Sequence, residues 1–103
     1  MGNYNLYSKP LSATLAGLAL GLLTLTPEFD ALVSEYTAET ANATNTITVT
    51  AADVDAVIAI EVNGDSHTNG TSATWETGEN EVVITVTKGA FSVIYTIIVT
   101  KTE

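Results

Sequence analysis

From residue 34 onward, apolar and polar side chains alternate with a period of two, and this alternation limits the possible folds more than any other feature. Residues 45–51 read Asn-Thr-Ile-Thr-Val-Thr-Ala, so Ile47 and Val49 share one face and threonines occupy the other. The same alternation recurs in residues 57–62, 80–87 and 91–100. Period two indicates half-buried β-strands, and the β-branched residues that fill these runs are those that strands prefer.

Turn-forming residues separate these runs. Asn63-Gly64 and Asn69-Gly70 are dipeptides of the kind that closes tight β-hairpins, and Thr77-Gly78 and Lys88-Gly89 are further turn signals. No stretch has a convincing helical pattern. Short strands with turns about every 8–12 residues predict an all-β fold, an Ig-like antiparallel β-sandwich of about seven strands.

Residues 11–25 form the most apolar stretch of the chain and admit two interpretations. Their number suits the apolar region of a signal peptide and falls short of the about 20 residues of a membrane span. However, Lys9 is the one base that precedes them, and no Ala-x-Ala cleavage site follows. We therefore interpret the stretch as a bent first strand. The resulting division is an N-terminal arm, residues 1–14, and one sandwich domain, residues 15–103.

The charge balance and the missing cysteine exclude several classes of function. Twelve acids against three lysines give a net charge of −9, which repels phosphate and anionic lipid. We therefore predict no nucleic-acid partner and no membrane insertion. The absence of cysteine excludes disulfides and thiolate chemistry. The one histidine, His67, is expected in an exposed loop, and no cofactor is expected.

The carboxylates give no pattern of an active site. Asp53 and Asp55 are spaced so that both could contact a cation, but a tight Ca²⁺ site needs about six or more oxygen ligands. We interpret them as solvated loop acids, with a weak cation site as the alternative. Glu76, Glu79 and Glu81 crowd one predicted hairpin without a sequence signature of catalysis. We predict no catalytic residue, no metal ligand and no enzymatic activity.

The order of several short motifs resembles that of the cadherin-like β-sandwich domain of bacterial surface proteins. The matching pieces are Leu15, Leu18 and Leu20; Leu25-Thr26-Pro27-Glu28-Phe29; Tyr36-Thr37; Val62-Asn63-Gly64; Gly78-Glu79-Asn80 with Val82 and Ile84; and Tyr95-Thr96-Ile97-Ile98-Val99. Together they cover residues 15–100. Two departures are apolar replacements: Leu23 stands where the family usually has Gly, and Trp75 where it usually has Leu. The specificity lies in the ordered set, because no single piece is diagnostic.

The resemblance implies a non-enzymatic structural or adhesive module. It implies that Tyr36 and Tyr95 are core or corner residues. It also implies core packing for Trp75, with stacking on a sugar ring as the alternative. Carbohydrate binding is accordingly a minor alternative for the function of the domain.

The N-terminal arm carries the residues that we predict to dock on a partner: Tyr4, Leu6 and Tyr7. Their composition is typical of interfaces, and a frayed tail is the alternative. A chain that starts at Met1 without an export signal favours a small phage virion protein, as a capsid decoration or tail-associated domain. The alternative is a domain of a bacterial cell-surface protein or adhesin. Either setting implies a protein partner, such as a capsid, tail or neighbouring subunit, and self-association is possible.

Overall fold

The computed structural model describes residues 13–102, so the predicted docking residues Tyr4, Leu6 and Tyr7 lie outside the described part. Within that part the chain forms eight strands. They are β1 (Leu15–Leu20), β2 (Glu35–Thr40), β3 (Thr44–Ala51), β4 (Val57–Val62), β5 (Asp65–His67), β6 (Ser72–Thr74), β7 (Gly78–Lys88) and β8 (Phe91–Lys101). Residues 13–102 include no helix with the length and apolarity that crossing a membrane would require.

The strands form two sheets that pack face to face as a sandwich. The three-stranded sheet has the order β1-β3-β6, and the five-stranded sheet has the order β2-β8-β7-β4-β5. The all-β sandwich predicted from the alternation is confirmed, with eight strands rather than seven. Strands β5 and β6 have three residues each, which is too short for a period of two to be recognised in the sequence.

One pairing departs from the antiparallel arrangement: β2 runs parallel to β8. The chain leaves the three-stranded sheet after Leu20, returns along the outer side of β2, and only then enters β2. On the way, Thr26 and Thr37 exchange two backbone hydrogen bonds of 2.9 and 2.8 Å. The returning segment therefore covers part of the outer edge of β2 and sets its direction.

The core lies between the sheets and follows the predicted alternation. Its fully buried members include Leu15, Leu20, Ile47, Val82, Ile84, Val86, Tyr95, Ile97 and Val99. The predicted inward face of β8 is buried except at its start, where Phe91 is 42% exposed and Val93 only partly buried. These residues lie near the tip of the β7–β8 hairpin, whose eleven-residue strands are longer than those of the facing sheet.

The two Asn-Gly turns have different roles. Asn63 and Gly64 have φ angles of 51° and 88° and close the β4–β5 hairpin, as predicted. Asn69-Gly70 instead connects β5 to β6, which belong to different sheets, so its predicted hairpin type is wrong. The prediction of a loop position for His67 is also wrong, because His67 ends β5 and pairs with Ile60.

Candidate interaction surfaces

The two loop aspartates do not converge on a common site. The Asp53 carboxylate accepts hydrogen bonds from the Asp55 backbone N–H at 2.8 Å and from the Lys88 ammonium group at 3.0 Å. The backbone bond first, and Lys88 second, lower the pKa of Asp53 below its ordinary value of 3.8. Among residues 13–102, no group of three or more acids or histidines is placed to hold a metal ion.

The remaining polar candidates are also apart from one another. Glu79 and Glu81 point outward from β7, and Glu76 lies exposed in the preceding turn. The His67 ring Nε2 lies 3.0 Å from the Thr71 carbonyl oxygen and 3.2 Å from its hydroxyl. His67 therefore connects the start of the β5–β6 turn to its end, and its contacts stabilise this turn.

Trp75 is a core residue, as the resemblance implied. Its side chain is 4% exposed, and its indole Nε1–H donates to Asn45 Oδ1 at 2.8 Å. Burial of both ring faces leaves no platform on which a sugar could stack. The predicted alternative role of Trp75 in sugar binding therefore has no support in the geometry.

Two tyrosine hydroxyl groups fix the segment that connects β1 to β2. Tyr95 donates to the Ala31 carbonyl at 2.7 Å and accepts from the Leu15 N–H at 3.1 Å. Burial raises the pKa of Tyr95 above its ordinary value of 10.0. Tyr36 donates to the Asp30 carbonyl at 2.7 Å and accepts from the Asp30 N–H at 3.1 Å. Both tyrosines are thus buried corner residues, as expected.

A buried asparagine closes one end of the five-stranded sheet. Asn80 is fully buried, and its Oδ1 accepts from Asn63 Nδ2 and from the Glu76 N–H, both at 2.9 Å. Its Nδ2 donates to the carbonyls of Glu76, Gly78 and Val99 at 2.9, 3.2 and 3.1 Å. The Val-Asn-Gly and Gly-x-Asn motifs are therefore two halves of one hydrogen-bonded unit, which their spacing in the sequence does not reveal.

The outer faces of the two sheets differ in charge. The strands of the three-stranded sheet contain no charged residue, and their outward side chains are mainly small or hydroxylated: Ala16, Ala19, Thr44, Thr46, Thr48, Thr50, Ser72 and Thr74. We call this surface the uncharged face. The outer face of the five-stranded sheet carries Glu35, Glu39, Glu61, Glu79 and Glu81. All charged side chains of residues 13–102 therefore lie on the five-stranded sheet or in loops.

The five-stranded sheet has an apolar end as well. Val57 is 66% exposed and Ile94 55% exposed, on the half of its outer face that lies away from the glutamates. Two grooves of about 540 and 420 Å³ flank the Thr26–Thr37 bridge at the β2 edge of this sheet. Each groove includes one carboxylate, that of Glu39 or Glu35, and no second carboxylate or histidine to act with it.

Two packed sheets, a parallel edge strand entered through a crossing segment, and tyrosine corners define a domain of the Ig-like β-sandwich class. Comparison with known families matches residues 13–102 to the cadherin-like beta sandwich domain. The chain belongs to this family, as the ordered motifs indicated. Comparison with curated proteins finds no match. Family membership suggests a non-enzymatic surface or interaction module.

Proposed function

We propose that this domain is a non-enzymatic assembly module displayed on an exterior surface, as a decoration or tail-associated protein of a phage virion. The observation that carries the proposal is the separation of charge between the two sheets. Like-charged proteins repel one another, and a net charge of −9 opposes close packing of many copies. A partner can nevertheless approach the uncharged face without bringing carboxylates together.

The outer face of the five-stranded sheet, which carries the five glutamates, suits the outward side of such an assembly. Its glutamates are exposed, and a surface with one sign of charge stays soluble and resists nonspecific association. The orientation that follows from the proposal places the uncharged face against the partner and the five-stranded sheet towards solvent. We assign the contact itself to the uncharged face together with the arm residues Tyr4, Leu6 and Tyr7.

Membership in a family that suggests a surface module favours a second setting, a domain within a bacterial cell-surface protein. The two settings differ in what the domain must bind. A virion protein must bind a capsid or tail subunit at high copy number, whereas an adhesin domain binds a ligand outside the cell. Assembly in solution is therefore the property that separates them.

Size-exclusion chromatography with light scattering, applied to the full chain and to a chain lacking residues 1–10, tests the proposal. We expect the full chain to associate and the shortened chain to be a folded monomer. Association that persists without the arm would contradict the assigned role of Tyr4, Leu6 and Tyr7. A monomeric full chain that binds neither capsid nor tail subunits would favour the cell-surface setting.

A matched pair of charge variants tests which face is used. Ala19 and Ala59 are both exposed, on the outer faces of opposite sheets. Ala19→Glu should weaken association by about tenfold or more, because it places a carboxylate on the uncharged face. Ala59→Glu adds the same charge to the acidic sheet and should leave association nearly unchanged. The reverse order would assign the contact to the five-stranded sheet.

A further inference from the structure

The outer edge of β1 differs from every other sheet edge of the described chain. The edge strands β5 and β6 have three residues each, and the segment through Thr26 covers part of the edge of β2. Strand β1 has six residues, no charge and no proline, and nothing in residues 13–102 pairs with its outer side. Proteins usually protect such an edge, because it offers unpaired backbone groups to another strand.

The hydrogen bonds of β3 show which groups of β1 point outward. The Val49 N–H and C=O are both engaged by the Asn69 side-chain amide, at 2.9 and 2.8 Å, on the side of β3 away from β1. Backbone groups of antiparallel pairs alternate between facing and opposite directions. Leu18, the partner of Val49, must therefore direct its own N–H and C=O to the open edge.

The same reasoning applies one pair further along. Ile47 bonds to Thr71 and Gly70, at 3.1 and 2.7 Å, again on the side of β3 away from β1. Its partner Leu20 therefore directs its N–H outward, while the Leu20 carbonyl accepts from the Leu23 N–H at 3.2 Å. The open edge of β1 thus presents at least two donors and one acceptor with strand spacing.

We propose that this edge accepts residues 3–8 of a second copy of the chain as an added antiparallel strand. The segment reads Asn-Tyr-Asn-Leu-Tyr-Ser and alternates so that Tyr4 and Leu6 share one face. Its length equals that of β1. Strand addition takes its affinity from main-chain hydrogen bonds and its specificity from alternate side chains. The inference rests on the proposed function and names the surface on which the arm docks.

Charge and turn chemistry favour a second copy over the chain's own β1. Residues 1–12 carry +1 from Lys9, whereas residues 13–103 carry −10 from twelve acids and two lysines, so the arm is the part that another copy attracts. Pairing within one chain would require a reversal in residues 9–12. This stretch contains neither Gly nor Asn, whereas the β4–β5 and β7–β8 hairpin turns use residues with positive φ, among them Gly64 and Gly89.

Cysteine cross-linking tests the proposal directly, because the chain contains no cysteine. One variant carries Ala19→Cys on β1, and a second set carries one cysteine at each of residues 3 to 8. The variants are purified separately and mixed in pairs under mild oxidation, so that a mixed dimer reports contact between copies. Ser72→Cys is the matched control, since Ser72 is exposed on the same face at the opposite edge.

We expect Ala19→Cys to form mixed dimers at least about tenfold faster than Ser72→Cys, with yields that alternate along the arm. Equal rates, no mixed dimer, or a disulfide that forms only when both cysteines are in one chain would overturn the inference. If association depends on residues 1–10 but Ala19→Cys forms no mixed dimer, the arm docks elsewhere and only the inference fails. If association does not depend on the arm, the proposed role of the arm fails too.

Discussion

The two sheets of this sandwich are held together by different means. The five-stranded sheet contains the β7–β8 hairpin, whose eleven-residue strands pair along their whole length, and β4 pairs with β7 over six residues. In the three-stranded sheet, β1 has six residues and β6 has three. One sheet thus relies on continuous backbone pairing, whereas the other has much less of it.

The three-stranded sheet compensates with side-chain hydrogen bonds that come from outside its strands. Asn69 bonds to Val49 just before β6 begins, and Tyr95 of the opposite sheet bonds to Leu15 at the start of β1. Apart from the network around Asn80, individual side chains should therefore matter more in the three-stranded sheet. Four substitutions test this difference between the sheets, in decreasing order of the expected loss of stability.

The first substitution is Asn80→Ala, at a place where the five-stranded sheet also depends on a side chain. It removes five side-chain hydrogen bonds at a fully buried position. We expect the free energy of unfolding to fall by about 3 kcal/mol, measured by urea denaturation.

Asn42→Ala is the control for this variant, because Asn42 is exposed and the truncation is the same. It should change the free energy of unfolding by less than about 0.5 kcal/mol. If Asn80→Ala is equally harmless, the network around Asn80 contributes nothing beyond backbone pairing, and the contrast between the sheets is even sharper than proposed.

The second substitution, Tyr95→Phe, removes a buried hydroxyl group that joins the two sheets. It removes the bonds to Leu15 and Ala31 and leaves a buried N–H unpaired, so we expect a loss of about 2 kcal/mol. Tyr36→Phe is the matched control, since the hydrogen bonds of its hydroxyl join it to Asp30, which is exposed. A larger loss for Tyr36→Phe would show that the connecting segment matters more than the contact with β1.

Tyr95 also predicts an alkaline effect on stability. Its folded pKa is raised above 10.0, so above that pH the unfolded chain releases the proton while the folded chain retains it. The contribution is therefore full below pH 10.0 and is lost as the pH rises through the folded pKa. The wild-type free energy of unfolding should fall more steeply than that of Tyr95→Phe when both are measured above pH 10.0.

Much of this architecture could be predicted from the sequence because it depends on local patterns. Alternation identified the buried faces of β3, β7 and most of β8, and Asn63-Gly64 identified a hairpin. The Asn69 side chain could not be assigned in the same way. Its role depends on where β6 begins and on which sheet β6 joins.

The uncharged face was equally invisible in the sequence, for a related reason. Thr44, Thr46 and Ser72 lie on one surface only because β6 pairs with β3 after the chain has crossed between the sheets. Charge on a face is a property of strand order, which alternation does not specify. The docking role of Tyr4, Leu6 and Tyr7 stays a prediction.

The third substitution, Asn69→Ala, should loosen the three-stranded sheet locally. Both lost bonds are to Val49, and Asn69 is exposed, so water can replace part of them. We expect a loss of about 1 kcal/mol. Amide hydrogen exchange should accelerate at Val49 and stay unchanged at Ile84, in the middle of β7. Unchanged exchange at Val49 would show that the Asn69 side chain does not stabilise the three-stranded sheet.

The fourth substitution, Asp53→Asn, tests a contact between the β3–β4 crossing and the end of β7. Asp53 lies in the crossing and pairs with Lys88 at 3.0 Å, where both side chains are about one-third exposed, so the effect should be the smallest of the four.

The pH dependence of stability shows whether the charge of Asp53 causes this effect. The folded pKa of Asp53 lies below 3.8, so the contribution is present above pH 3.8 and is lost as the pH falls through the folded pKa. The difference in thermal midpoint between wild type and Asp53→Asn should therefore shrink in acid and with added salt, which screens exposed charges. A difference that persists in acid would assign the effect to the hydrogen bond from the Asp55 N–H rather than to the charge. The geometry of the loop, and not the ion pair with Lys88, would then account for the contribution of Asp53 to stability.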